Sequence, residues 1–228
     1  MKLLYQGKTK DVYEVDQDIV ELHFKDDVTG QDGVFDPGAN QVGLTIEGMG
    51  EQTIGVSTYF FKLFKEKNIP THYLSSDVKN KTMKVKKAHA FGHGLEVICR
   101  YKAVGSFIRR YGKYIESGTN LGGYVEFTLK DDERNDPLIT KDALILLNIL
   151  TEDQYDQLVS LTKEISGLIR DVLAEKGLTL YDIKLEFGQL NNGEVVLIDE
   201  VSAGNMRVSE GDRVLAPLEL GKYLNLFE

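Results

Sequence analysis

Two carboxylates, Glu186 and Asp199, flank a turn signal that sets them face to face, and carboxylates so placed need a cation. The segment Tyr181-Asp182-Ile183-Lys184-Leu185-Glu186-Phe187-Gly188 alternates apolar and charged residues, the period of a half-buried strand. Asn192-Gly193 then signals a type I′ hairpin, and Glu194-Val195-Val196-Leu197-Ile198-Asp199-Glu200 reads as the returning strand. A two-residue loop places Asn191 opposite Glu194, and counting outward places Glu186 opposite Asp199. Directly opposed residues stand ~5 Å apart at Cβ, where like charges repel. A divalent cation offsets that repulsion, and oxygen donors at this spacing suit magnesium. Asp182, Lys184 and Glu186 share one strand face, with Ile183, Leu185 and Phe187 on the other, the core side. A solvated hairpin with a polar outer face fits the same alternation, so the pattern leaves both readings open.

Two further places carry chemistry-bearing residue types. Gln6-Gly7-Lys8-Thr9-Lys10 turns between two short strands. A glycine turn with two lysines has the form of a loop that covers phosphates with backbone amides and ammonium groups. An exposed basic hairpin turn is the competing reading. Arg100 ends the apolar run Leu95–Cys99, and Gly105-Ser106 follows. Arginine suits bidentate recognition of phosphate or carboxylate, whereas Arg109 and Arg110 read as a surface helix. His89 and His93 lack companions at zinc-ligand spacing.

These residues need elements to hold them. Leu3 to Tyr5, Asp11 to Val15 and Ile19 to Phe24 read as antiparallel strands, and residues 25–50 as a long loop. Gln52 to Lys67 reads as a helix with an aromatic stripe, ended by Asn68 and Pro70. Thr71 to Leu74, Thr82 to Lys87, Leu95 to Cys99 and Tyr124 to Lys130 read as strands. Lys79, Lys81, Lys84, Lys86 and Lys87 suggest a solvated edge. Thr151-Glu152-Asp153-Gln154 is a capping box. It opens a helix with Leu158, Leu161, Ile165, Leu168 and Val172 at helical spacing, stopped by Gly177.

The 228 residues suffice for a real core in one domain or two lobes. A net charge of -9 argues against nucleic acid as a main partner. The single cysteine, Cys99, gives no disulfide framework and fits a reducing cytoplasm. The opening Met1-Lys2-Leu3-Leu4-Tyr5-Gln6 is too polar for a signal peptide, and no apolar run is long enough for a membrane span.

Taken in order, several stretches resemble one family. They are Tyr5 to Lys10, Lys25-Asp26-Asp27, Leu95-Glu96-Val97 to Arg100, Gly105-Ser106-Phe107, Val125-Glu126-Phe127 to Lys130-Asp131-Asp132, Asn135-Asp136-Pro137, Asp182 to Gly188 and Asp199-Glu200-Val201-Ser202. Over about residues 1–207 the chain resembles the SAICAR synthetase (phosphoribosylaminoimidazole-succinocarboxamide synthase) family of purine biosynthesis. The resemblance implies a two-lobed α+β fold related to protein kinases and ATP-grasp enzymes, with antiparallel sheets and flanking helices. It divides the chain into an ATP-covering lobe, 1–94, and a substrate- and metal-binding lobe, 95–228. It also implies an ATP-dependent ligase that joins the carboxylate of carboxyaminoimidazole ribonucleotide to aspartate through an acyl phosphate. Carried over by position, Lys8, Lys10 and Lys130 bind ATP, and Glu186 and Asp199 bind magnesium. Arg100, Ser106 and Arg207 grip the ribonucleotide phosphate. Asp136, Asp182 and Lys184 face the reacting groups. The implied partners are these small molecules and a second copy of the chain.

Departures from the family pattern cluster on the substrate side. Gly48-Met49-Gly50 replaces Gly-Lys-Gly, Ser202-Ala203-Gly204 replaces Ser-Pro-Asp, and Arg207-Val208-Ser209 replaces Arg-Leu-Trp. These changes keep two alternatives open, a paralogue acting on a related phosphorylated substrate and a kinase-like phosphotransferase. Asp32 and Asp36 are loop acids available to replace the carboxylate missing at Gly204.

Overall fold

A computed structural model describes residues 1–31, 33–38 and 41–227. Asp32 lies outside the described residues. The chain begins with β1 (Lys2–Gln6), β2 (Lys10–Glu14), β3 (Ile19–Phe24), β4 (Asp27–Gln31), β5 (Val34–Phe35) and β6 (Val42–Thr45). Helix α1 (Met49–Glu66) leads to β7 (Tyr73–Asp77), β8 (Thr82–Lys86), β9 (His89–Ala90) and β10 (Leu95–Lys102). Then come α2 (Gly105–Tyr111), β11 (Asn120–Leu129), a short 3-10 turn (Asp132–Arg134), β12 (Leu138–Ile139), α3 (Lys141–Leu146) and α4 (Glu152–Glu175). The chain closes with β13 (Thr179–Gln189), β14 (Val195–Ile198), β15 (Met206–Glu210), β16 (Arg213–Val214) and α5 (Leu220–Tyr223). Antiparallel sheets with flanking helices make this an α+β fold. None of the described helices is long and apolar enough to cross a membrane.

Two compact units emerge. The first gathers Met1–His89, Gly188–Asn205 and the stretch from Ala216 on. Its antiparallel sheet runs β1-β2-β3-β8-β7. Helix α1 packs on it, burying Ile54, Phe60, Phe61 and Phe64 completely. No side chain of Gly48 caps α1; Asp26 serves instead, its Oδ1 accepting from Gly50 N at 2.9 Å. The stretch read as a long loop contains a small sheet, β5-β4-β6. Its strands are too short, and two of them too interrupted by glycine, for alternation to reveal them. The lysines of β8 lie on an interior strand, alternating outward against buried Met83 and Val85.

The second unit comprises Ala90–Phe187 and Met206–Leu215. Its strands run β12-β11-β10-β13-β15-β16, all antiparallel. Helix α4 packs against β10 and β11. Its capping box is complete: Gln154 N donates to Thr151 Oγ1 at 3.2 Å, and Thr151 N donates to Gln154 Oε1 at 2.9 Å. The buried stripe is Leu158, Thr162, Ile165, Ser166, Ile169 and Leu173. It is thus turned slightly from the purely apolar stripe, leaving Leu161, Leu168 and Val172 half-buried. Thr162 and Ser166 fit because small side chains let the helix approach the sheet.

The hairpin after β13 differs from expectation. Gly193 N donates to Leu190 O and Leu190 N to Glu194 O, each at 2.9 Å. Gly193 sits at φ 89. This is a three-residue loop closed by a left-handed glycine, the other hairpin that an Asn-Gly pair serves. Leu190, not Asn191, faces Glu194. The two-residue count that set Glu186 against Asp199 therefore does not hold, and Asp199 itself leaves extended geometry at φ 68.

Candidate active site

Alternation read at Asp182, Lys184 and Glu186 extends across the sheet of the second unit. Register places Arg207, Asp182, Arg100 and Tyr124 in one row across β15, β13, β10 and β11. Lys184, Ile98 and Glu126 form the next row, and Glu186, Glu96 and Thr128 the third. Side chains two residues apart share a face, so this face is polar while Val97, Cys99, Phe127, Ile183 and Leu185 fill the core. Cys99 is a buried free thiol, its pKa raised by that burial.

Arg100 is the most deeply held charge, at 2% exposure. Its Nε donates to Glu126 Oε1, its Nη1 to Asp182 Oδ2 and its Nη2 to Ser106 Oγ, each at 2.8 Å. Arg207 Nη1 donates to the same Asp182 oxygen at 2.8 Å. Gly105, at φ 54, lies where a Cβ would come within 2.9 Å of the Arg207 guanidinium, so a larger residue there would be strained and would push that guanidinium aside. Arg109 is exposed, as a surface helix requires, but Arg110 turns inward and its Nη2 donates to Glu126 Oε1 at 2.5 Å.

Along the same face, Lys184 Nζ donates to Glu96 Oε1 at 2.7 Å, and Thr128 Oγ1 donates to Glu96 Oε2 at 2.8 Å. Burial alone lowers the pKa of Lys184, but the Glu96 carboxylate outweighs it and the net shift is upward. Lys130 Nζ donates to Glu186 Oε1 at 2.8 Å. Asp136, at φ 47, accepts from Asp131 N at 2.8 Å. Burial, then the Glu96 charge, raises its pKa above the ordinary carboxylate range.

In the first unit the Gly7 turn is tightly built. Gly7 N donates to Lys10 O at 2.9 Å, a Cβ at Gly7 would lie 2.5 Å from that oxygen, and Lys25 Nζ donates to Gly7 O at 2.8 Å. Lys8 is exposed on the turn. Lys10 is turned inward, paired with Asp199 and donating to Glu200 Oε2 at 2.6 Å. Burial opposes its charge, but the two carboxylates prevail and raise its pKa. Glu200 is pushed up to about 8, by burial first and then by the neighbouring Asp199 charge. Buried His72 donates from Nε2 to the Asp199 carbonyl at 3.2 Å, holding the left-handed residue in place. Its own pKa falls to about 4, because burial disfavours the cation.

Asp199 and Glu200 are half-buried and share one lysine, and their oxygens are donors of the kind that suit a hard divalent cation. Among the described residues no group of three or more His, Cys, Asp or Glu side chains forms a ready metal cage. Magnesium commonly takes one or two protein carboxylates and completes its shell with phosphate and water. His89 pairs with Asn191 Oδ1 at 3.1 Å. Asp36 caps Gly38 N at 2.9 Å.

The structure thus gathers Arg100, Ser106, Asp182 and Arg207 into one cluster and brings Lys130 to Glu186 and Lys10 to Asp199. Glu96, Glu126, Glu200 and His72 escaped sequence reading as site residues. Strand alternation through Glu96-Val97-Ile98-Cys99-Arg100 and Tyr124-Val125-Glu126-Phe127-Thr128 was a usable signal for the first two.

Residues 3–215 match the SAICAR synthetase family. A phosphoribosylaminoimidazole-succinocarboxamide synthase from Clostridium tetani is 56% identical over 225 residues, covering 98% of this chain and 99% of that one. A solved SAICAR synthetase (Type-2) in complex with ADP superposes with a TM-score of 0.82 at 30% identity, covering 98% of this chain and 91% of that one. The phosphoribosylaminoimidazole-succinocarboxamide synthase from Ehrlichia chaffeensis gives a TM-score of 0.83 at 27% identity, over 99% and 92%. With the family match spanning nearly the whole chain, and a relative of that identity aligned end to end, the chain belongs to the SAICAR synthetase family.

Proposed function

We propose that the chain uses ATP and magnesium to join the carboxylate of carboxyaminoimidazole ribonucleotide to the amine of aspartate, in the cytoplasm and as a homodimer. The observation that carries the assignment of roles is the Arg100–Ser106–Asp182–Arg207 cluster, where two guanidinium groups and a hydroxyl converge. Guanidinium forks match the geometry of phosphate oxygens, and this cluster grips the ribonucleotide phosphate. Lys8 and Lys10 meet the ATP phosphates and Lys130 the nucleotide. Glu186 and Asp199 hold magnesium, which when bound neutralises charge on the transferring phosphoryl group.

A carboxylate is a poor electrophile until one of its oxygens becomes a leaving group. Its attack on the terminal phosphorus of ATP expels ADP and leaves an acyl phosphate. The amine of aspartate then attacks the acyl carbon, phosphate departs, and the amine gives up a proton. Lys184, kept charged by Glu96, steadies the anionic carboxylate and the departing phosphate. Asp136 accepts the proton, and its burial beside the Glu96 charge makes it a stronger base than an exposed aspartate. Asp182 orients the ribonucleotide from between the two arginines.

Incubating the native chain with ATP, magnesium and carboxyaminoimidazole ribonucleotide tests this, with phosphate release followed with and without aspartate. Release that requires aspartate and yields the amide is expected. Release without an amine would point instead to a phosphotransferase. Asp199→Asn should raise the magnesium concentration for half-maximal turnover about tenfold or more while leaving ribonucleotide binding intact. An unchanged magnesium requirement would remove Asp199 from the metal site.

Gly204 gives a separate test of substrate identity. A Cβ there would meet Ser202 Oγ at 3.2 Å and Glu200 Oε1 at 3.9 Å. A carboxylate introduced at this position is directed towards an existing one. Gly204→Asp should therefore not improve turnover of carboxyaminoimidazole ribonucleotide and aspartate. An improvement of about tenfold, the worth of one charged hydrogen bond, would show that the native chain prefers another acceptor.

A further inference from the structure

We propose that Glu126 is a positioning residue for phosphate recognition, fixing the Arg100 guanidinium from behind so that its other edge meets Ser106 and Asp182. The inference rests on the assignment of Arg100, Ser106 and Arg207 to the substrate phosphate. Glu126 lies on β11, 4% exposed. One of its oxygens, Oε1, takes Arg100 Nε at 2.8 Å, Arg100 Nη2 at 2.7 Å and Arg110 Nη2 at 2.5 Å. Its other oxygen and Arg110 Nε are buried without a hydrogen-bond partner. The carboxylate is therefore placed for Arg100 rather than for the best pairing with Arg110. Arg100 Nε is committed to it, which sets the plane of the fork and leaves Nη1 to Asp182 and Nη2 to Ser106.

Position and charge make opposite predictions here. The cluster holds three guanidinium groups, Arg100, Arg110 and Arg207, against two carboxylates, Glu126 and Asp182. Removing the Glu126 charge makes the site more positive, so Coulomb attraction by itself would tighten phosphate binding. If Glu126 sets the fork, its removal loosens phosphate binding despite the added positive charge. Without Glu126 on Nε and Nη2, the fork keeps only its Asp182 and Ser106 contacts and turns about them, so the ligand must order it on binding.

Two variants separate these outcomes. Glu126→Gln removes the charge and keeps the length, whereas Glu126→Asp keeps the charge and withdraws it by one methylene. Inorganic phosphate serves as a competitive probe against the ribonucleotide. In both variants the inhibition constant for phosphate and the KM for the ribonucleotide should rise about tenfold to a hundredfold, with kcat and the KM for ATP within about threefold. Should Glu126→Gln fail to fold, Glu126→Asp carries the test alone. Unchanged or tighter phosphate binding would overturn the proposal. So would parallel losses in kcat and in the KM for ATP, which mark a general packing defect. If inorganic phosphate does not compete in the native chain, the phosphate grip itself is wrong, and the role of Glu126 falls with it.

Discussion

Arg100→Met is expected to destabilise the chain by about 3–5 kcal/mol and to raise the KM for the ribonucleotide by at least about a hundredfold. The side chain is almost fully buried, and its guanidinium is shared by Glu126, Asp182 and Ser106. Taking it away leaves two buried carboxylates to Arg110 and Arg207, which reach one each. A buried charge robbed of its partner costs far more than the intact pair contributes. Domains of this kind are stable by about 5–15 kcal/mol, so the variant should fold at low temperature but unfold at much lower denaturant. Arg100→Lys should recover little, because one ammonium cannot meet three groups spread around a planar fork. Denaturant midpoints at unchanged slope, together with ribonucleotide KM, decide the matter. A methionine variant as stable as the native chain would show that the cluster is not held by this charge.

Lys10→Ala should lower kcat/KM for ATP by about 10²–10³-fold, the usual cost of removing a donor aimed at developing charge. The substitution also leaves Asp199 and Glu200 adjacent with no cation between them. Glu200, already pushed up to about 8, should then hold its proton at still higher pH. Single-turnover measurements at limiting ATP report the phosphoryl-transfer step directly. Unchanged kinetics under those conditions would remove Lys10 from the phosphate site.

Both residues are proposed from the sequence, but for different reasons. Lys10 drew notice as one of two lysines on a glycine turn, a pattern that an exposed basic hairpin turn fits as well. Arg100 stood out because a charge at the end of an apolar strand needs a partner or a ligand. What the sequence did not reveal were the partners. Glu126 lies 26 positions from Arg100 and Glu96 lies 88 from Lys184, and no local spacing links residues so far apart. Only the strand order β11-β10-β13 brings them together. Alternation along β13 was legible because one face is core and the other polar, which fixes the pattern physically. The hairpin was misjudged by one residue because an Asn-Gly pair serves two-residue and three-residue loops alike. The strands between residues 27 and 45 escaped because they are short, two to five residues, and interrupted by Gly30 and Gly43.

The discontinuity of the unit that carries Lys10 has a consequence for synthesis. Its sheet is made first, but Val201, Asp199 and Glu200 belong to a stretch made much later. Ser57 Oγ waits for the Val201 backbone, which it bonds at 3.1 and 3.2 Å, and His72 waits for the Asp199 carbonyl. Residues 90–187 come between, and translation at about 5–20 residues per second makes that interval roughly 5–20 seconds. Throughout it the nascent chain exposes polar groups that the finished protein seals, with Lys10 bare of its two carboxylates. A ribosome stalled anywhere in that interval would display the finished sheet without its late-made cover to proteases and chaperones.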